Sequence, residues 1–545
     1  MQKALRPTLF TGLLLMAAYL RLTGLAWGLS SGYGHDRNLQ PDEWVSLRGV
    51  LQLDLLKGRI KAPGAYFEGT FNYYLWAVPQ AVLKLSGKKE VPLIDSTDAK
   101  DISNLLYICR WMSVIFDLCT IVIVFLAIRE ATQNFYPSLF GALCYAVLPM
   151  EVIYAHFMRT HILSNLLCAL VILLSLKLRK SKRWQILLTV GFISGLAGAT
   201  RYPVGIIVVI PCLYFLADGF DGWSSWRTGF LERAKDFIAG PVWLLGLGFI
   251  LGLFLGHPML FLNPSSVTGA ITGETLKYAS LQEFSTSRLV NLSVVWQYLT
   301  YLIPYAMYSL LWIVPYCSIL YLLFRHRLYS QSIPILIFSF LYLYFMGKGY
   351  LGPFFAKATM LLFPGFCVLA GLACNDLLSR VRNGRTVTLL LAVVLVLVVG
   401  PSVLFNIAYA RAMRHKDARL VLRKDLQKLI GKRPATINIS RFGAYFYTVM
   451  PATAPLKSDK VTVQPQEPWQ KADFFLVGFP RQPEPAQINT IIRAIEAQGV
   501  FKYEKSYYVP VRIFGRRFSL ARFPSDMTYP FPMILLFRAK VPSGS

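Results

Sequence analysis

Residues 9–29 read LFTGLLLMAAYLRLTGLAWGL, and residues 35–44, a few positions on, read HDRNLQPDEW. The first run is apolar over the roughly 20 residues a helix needs to cross a bilayer. It is too long for the apolar part of a signal peptide, and Leu25-Ala26-Trp27-Gly28-Leu29 is a poor small-residue cleavage site. The run therefore reads as a retained span. The second stretch sets an acidic pair, Asp42-Glu43, in the first polar loop after it. Further apolar runs lie near 105–128, 135–154, 161–178, 185–200, 202–217, 237–257, 298–323, 332–347, 355–377 and 387–409, about eleven with the first. The expected fold is an all-α multi-pass membrane domain over residues 1–410.

Composition agrees. Of 545 residues 55% are hydrophobic and 15% charged, with mean hydropathy +0.47, which excludes a set of soluble domains. A net charge of +28 raises the question of nucleic acid. The cations lie in short clusters between apolar runs and in the tail, without a nucleic-acid fold signature, so anionic lipid and a phosphate-bearing lipid fit better. The eight cysteines (109, 119, 144, 168, 212, 317, 367, 374) fall in or beside apolar runs with no ligand spacing, as small buried hydrophobes do.

The basic clusters at 179–183, 227–235, 325–327 and 380–385 fall on alternate turns, which makes that side cytoplasmic. The loop 30–104, the loop after His257 and the tail then share the outer side. Within loop 30–104, residues 42–56 and 73–85 read as interfacial amphipathic helices. Asp42, just after Pro41, would stand at or near the N-cap, where the helix dipole favours its ionised form. The tail, 411–545, carries 23 Lys/Arg against 9 Asp/Glu. Helices over 411–430 and 487–498 and strands near 436–440, 474–477, 501–511 and 533–538 make it a small basic α/β domain suited to an anionic surface.

A surface carboxylate pair can be a metal ligand, a general base or a solvated helix start. Between an aromatic-rich span and an amphipathic helix an idle charge is costly, which favours function. At this point the chain resembles the polyprenyl-phosphate-sugar-dependent glycosyltransferases of the GT-C fold, glycosyltransferase family 39 type, along most of residues 1–410. The resemblance rests on Gln40-Pro41-Asp42-Glu43-Trp44, on Tyr66 to Leu75, and on Leu148-Pro149 through His161. Gly195 to Tyr202 is similar to the family's Gly-rich turn, and His257-Pro258 through Asn263-Pro264 and Lys357 to Leu369 match two later segments. Where many relatives carry Arg-x-Asp, this chain has Arg159-Thr160-His161, so His161 or Glu151 could take over a polar role there.

The resemblance implies direct, inverting transfer of a sugar from a polyprenyl phosphate to a hydroxyl-bearing acceptor on the outer face of a cytoplasmic (inner) membrane. Asp42 would be the base and Glu43 its orienting partner. Arg201 and Lys357 would hold the donor phosphate, with Arg159, His161 and Lys348 behind them, and Glu68, Tyr202 and His257 would face the acceptor. No Asp-x-Asp is present, and the one close His/carboxylate set, Glu151 with His156 and His161, has its two His five apart around a predicted turn, so metal-independence is the expectation and no cofactor is expected. The rival readings are a transporter or flippase for a lipid-linked sugar and a non-catalytic binding protein. A transporter would concentrate ionisable or broken segments at mid-membrane, whereas the polar signals here gather at one face. Tyr301, Tyr305, Tyr308 and Trp312 have helical spacing and read as one packing or interfacial stripe.

Overall fold

The computed structural model describes residues 2–29, 40–63, 66–86, 99–181, 183–216, 234–281, 291–325, 329–347, 355–380, 389, 392–440, 449–453, 456–458, 460–465, 472–480 and 482–540. The chain forms two compact units. One comprises Met1–Leu22, Val45–Ile94 and Ile108–Asn406; the other comprises Thr23–Trp44, Asp95–Tyr107 and Ile407–Ser545.

The first unit is helical. Its leading helices are α1 (Gln2–Leu22), α2 (Pro41–Leu51, which begins in the second unit), α3 (Phe71–Leu85), α4 (Ala99–Thr132), α5 (Phe135–Ala146), α6 (Pro149–Ala155), α7 (Thr160–Lys180) and α8 (Trp184–Thr200). Among the described residues, five helices are long and apolar enough to cross a membrane. They are Ile102–Thr132 within α4, then α7, Ser330–Gly347, Ala356–Arg380 and Ala392–Ala412; α5 and α6, bent by 60° at Pro149, make a sixth if they form one span. Other apolar runs of the sequence become shorter helices, among them α8, Tyr202–Leu216, Pro241–Gly256 and Ile313–Leu323. The chain is a multi-pass membrane protein.

Two of these shorter helices are joined by glycine. A Cβ on Gly191, Gly195, Gly248 or Gly252 would come within 2.0–2.3 Å of a carbonyl oxygen of the facing helix. The contacts pair Gly191 with Leu245, Gly195 with Phe249 and Gly256 with Ala199, so α8 and Pro241–Gly256 run parallel and end side by side. Small residues four apart allow such backbone approach, which in lipid substitutes for the hydrophobic drive that is missing there. The helix agrees with the span expected over 185–200, and most of the stretch Gly195 to Tyr202, likened above to a Gly-rich turn, belongs to it. Residues 195–200 stay helical, and the chain turns only at Arg201, whose backbone is extended.

The expected span over 298–323 is corrected. It is a π segment at Tyr298–Leu302, a short helix at Ile303–Met307 and a separate helix at Ile313–Leu323. Tyr308 and Ser309 have φ of 54° and 55°, a left-handed conformation that ends the first piece. Tyr308 stacks on Phe405 instead of extending the stripe of Tyr301 and Tyr305.

In the second unit a five-stranded sheet has the order β2-β1-β3-β7-β4, with β1 Ala435–Ile439, β2 Val461–Pro465, β3 Phe474–Phe479, β4 Phe501–Tyr507 and β7 Met533–Ala539. β2, β1 and β3 are parallel; β7 and β4 pair antiparallel. One face of the sheet packs Ile437, Ile439, Leu476 and Leu536 with Leu422 and Leu426 of helix Ala418–Ile430. The other packs Phe475, Val477, Leu535 and Phe537 with Ile491 and Ile495 of helix Pro485–Glu496. β2 and a small hairpin, β5 (Val511–Ile513) with β6 (Arg516–Phe518), were not expected, and the helix expected over 411–430 breaks between Ala412 and Ala418. There Asp417 caps the second helix, accepting from the Arg419 N–H at 2.8 Å. The same carboxylate takes two bonds of 2.8 Å from the buried Arg419 guanidinium.

Candidate active site

Helix α2 opens on the acidic pair. Its cap is the Gln40 side chain, whose Oε1 accepts the Glu43 N–H at 2.8 Å. Asp42 is therefore the second residue of the helix, not the cap. Asp42 is half-buried and Glu43 fully buried, both in the first turn, where the helix dipole favours negative charge. Ser46 follows on the next turn.

The chain between α6 and α7 is wholly buried. Ser113 of α4 donates to the Phe157 carbonyl at 2.9 Å, and the His156 ring meets the Val152 carbonyl at 2.6 Å. This holds Arg159 extended immediately before α7. Its guanidinium donates to Ser46 Oγ at 3.1 Å and to Glu68 Oε1 at 3.0 Å, and Glu68 Oε2 accepts the Tyr73 hydroxyl at 3.0 Å. Glu68 is thus occupied on both oxygens and orients Arg159, linking the segment before α3 to the start of α7.

His161, in the first turn of α7, is 2% exposed, and neither ring nitrogen has a hydrogen-bond partner; the buried Thr160 hydroxyl beside it has none either. Three cations face this ring closely enough to act on it electrostatically: Arg201, Arg159 and Lys357. Each comes from a different element. Arg201 caps the C-terminus of α8. Lys357 opens the 3-10 turn Ala356–Leu362 that leads into helix Phe363–Arg380, its ammonium 4.4 Å from the Phe355 ring centroid. Pro364 stands where 3-10 becomes α, a position that needs no N–H donor from it. Three cations near a helix N-terminus, one of them already paired with Glu68, make an arrangement that suits an anion. Lys348 lies outside the described residues.

Beside this group, Tyr202 donates to the Tyr66 carbonyl and sits 2.7 Å from His257 Nε2. A hydroxyl has one hydrogen, so Nε2–H must be the donor to Tyr202 and Nδ1 is left as an acceptor. Nδ1 is buried and has no partner. Burial pushes the imidazole down to about 4, so the ring is neutral near pH 7. Thr70 bonds the Gly256 carbonyl at 2.7 Å and Asn72 the Thr200 carbonyl at 3.4 Å, pinning the start of α3 across the paired ends of the glycine helices. Gly69, with φ 124°, approaches so closely that a Cβ would lie 2.4 Å from the Ala199 oxygen.

A second buried polar set surrounds Glu151, the only member of it that the sequence reading singled out. Arg21 of α1 pairs with Asp117 of α4; Tyr145 touches both Asp117 and Glu151; Asn165 donates to Glu151. The isolated charges at 21 and 117 inside apolar runs were a signal for the rest. Among the described residues no three His, Cys, Asp or Glu gather as a metal-ligand set.

Residues 103–233 match a family model described as dolichyl-phosphate-mannose-protein mannosyltransferase. No curated protein matches the chain. Among solved structures it is similar to ArnT from Cupriavidus metallidurans. The form bound to undecaprenyl phosphate has 13% identity and a TM-score of 0.47, with 96% of this chain and 97% of that one covered. The apo form has 13% identity and a TM-score of 0.44, with 96% and 98% covered.

Proposed function

We propose that this chain is a membrane glycosyltransferase using a polyprenyl-phosphate-linked sugar, a reading supported by the similarity of residues 103–233 to the family model described as dolichyl-phosphate-mannose-protein mannosyltransferase. The observation that supports the donor site is the convergence of Arg159, Arg201 and Lys357 on His161 at the start of α7. A sugar carried on a polyprenyl phosphate leaves a phosphate monoester behind when its anomeric bond breaks. That group gains charge as it departs, and preorganised cations in a water-poor site stabilise it where the charge develops.

In this reading an acceptor hydroxyl attacks the anomeric carbon from the face opposite the phosphate, inverting it, and gives its proton to Asp42. Asp42 suits the base because it stands half-buried in the first turn of α2, while buried Glu43 orients. Glu68 acts through Arg159, Tyr202 fixes the His257 tautomer, and His257 Nδ1 accepts a substrate hydroxyl. The site opens on the outer side of an inner membrane, where the basic C-terminal domain also lies beside anionic lipid.

The test is release of polyprenyl phosphate from a radiolabelled polyprenyl-phosphate sugar by the purified protein. Release that depends on a hydroxyl-bearing acceptor, with the label recovered on that acceptor, is expected. Movement of intact donor between leaflets without release would overturn the reading in favour of a flippase.

A further inference from the structure

We infer that Glu151 is a positioning residue that works as a neutral carboxylic acid, the proton-bearing end of a chain Glu151–Tyr145–Asp117–Arg21, and that it sets the face of α7 on which His161 stands. Arg21, Asp117, Tyr145 and Glu151 are all 0% exposed and Asn165 is 1% exposed. The Arg21 Nε–H donates to Asp117 Oδ2, and the same guanidinium bonds the carbonyls of Ala17 at 3.1 Å and Ala146 at 3.0 Å. The Tyr145 hydroxyl lies 3.2 Å from Asp117 Oδ1 and 3.0 Å from Glu151 Oε2. Asn165 Nδ2 donates to Glu151 Oε1 at 2.7 Å.

The set holds one guanidinium and two carboxyl groups, all closed off from bulk solvent. Tyr145 has a single hydrogen for two carboxyl oxygens, so one of those contacts must be donated from the acid side. If the extra proton sat on Asp117, Arg21 would face a neutral acid. If it sits on Glu151, the acid donates to the Tyr145 oxygen, Tyr145 donates to Asp117, and Arg21 keeps an ionised partner. Both Tyr145 contacts then have a donor and the charges cancel, which lowers the cost of burying such groups, although Arg21 Nη2 and Asn165 Oδ1 keep no partner.

The network spans α1, α4, α5, α6 and α7. Asn165 lies four residues after His161, one turn along the same face of α7. Glu151 therefore fixes α6 to α7 across the bend that carries Arg159 and His161, and it does so as a hydrogen-bond donor. This consequence rests on the glycosyltransferase reading; the proton assignment does not.

The experiment compares Glu151→Gln and Glu151→Ala with the wild type. Glutamine can donate to Tyr145 and accept from Asn165, so Glu151→Gln should keep thermal stability and should keep the KM for donor within about three-fold. Glu151→Ala should raise that KM roughly ten- to a hundred-fold, as loss of an orienting partner does at other charged sites, with a smaller change in kcat. The infrared spectrum should contain a protonated-carboxyl stretch that disappears in Glu151→Gln. If Glu151→Ala does not fold, that band and the behaviour of Glu151→Gln still decide. An absent band, or Glu151→Gln as damaged as Glu151→Ala, overturns the inference. The infrared and unfolding measurements use no substrate, so they stand or fall separately from the proposed reaction.

Discussion

At position 42 one change from oxygen to nitrogen separates cap from base. Because Gln40 supplies the cap, Asp42→Asn should leave folding intact, while loss of a general base should lower turnover by about 10²–10⁴-fold. Glu43→Gln should be milder. Near-wild-type initial rates from folded Asp42→Asn protein would end Asp42's role as base. The cations answer to a different measurement. Charge-assisted bonds to phosphate contribute about 1.5–3 kcal/mol each, so Arg201→Ala and Lys357→Ala should each weaken binding of a polyprenyl phosphate by roughly ten- to a hundred-fold in calorimetry. Unchanged affinity in both would return them to the class of interfacial cations whose aliphatic stems lie along the lipid. His257 sets a pH dependence. Its imidazole is held at about 4 in the fold, against about 6.5 unfolded, so the unfolded chain binds more protons between those values. The stability from keeping it neutral is complete above about pH 6.5 and falls as pH drops toward 4, by on the order of 3 kcal/mol. His257→Gln should flatten that part of the melting profile relative to wild type; parallel profiles would show that the ring charges without cost.

The element that decides the site's shape is the pair formed by α8 and Pro241–Gly256. Their parallel packing brings Arg201 and His257 to the same end, and it depends on glycines with no room for a Cβ. Gly195→Val would put a branched side chain where even a Cβ lies 2.1 Å from the Phe249 oxygen, so the helices must part. Overpacking of this kind costs about 1–3 kcal/mol or more, and displacement of Arg201 should weaken donor binding with it. Gly246 is the control. It lies on the second helix with nothing within 4 Å of an added Cβ, so Gly246→Ala should be neutral or stabilise by up to about 1 kcal/mol through helix propensity. Equal melting temperatures for Gly195→Val and Gly246→Ala would refute the close packing. Residues 195–200 show what the sequence left open: glycine marks both turns and close helix contacts, and only the facing helix distinguishes them.

Across the whole molecule, the second unit draws on residues 23–44 and 95–107 as well as the tail from 407. Trp27, 5% exposed, lies under the Arg419 guanidinium at 5.6 Å. A chain ending at residue 406 should therefore leave the chain around Trp27 open to limited proteolysis that the full chain resists. Equal resistance in both would show that this stretch is held without the tail. A subtler form is Asp417→Ala, which strips the buried Arg419 of its two-oxygen partner and should cost about 3–5 kcal/mol in the unfolding of this unit. The membrane class, most helix positions and the sheet-bearing tail were legible in the sequence because they follow from local physics: apolar runs of spanning length, strand-length apolar stretches, basic clusters at loop ends. So were Arg159, His161, Arg201 and Lys357 as candidates, each a polar group at the margin of an apolar run. The break at Tyr308, the cap by Gln40 and the strand β2 were not legible, since local propensity left several conformations open and packing chose among them. What only the tertiary structure decided is which buried polar groups meet. Arg21, Asp117, Tyr145, Glu151 and Asn165 come from five helices, and a charge inside lipid is tolerated only beside its partner, so their meaning arises when the helices pack.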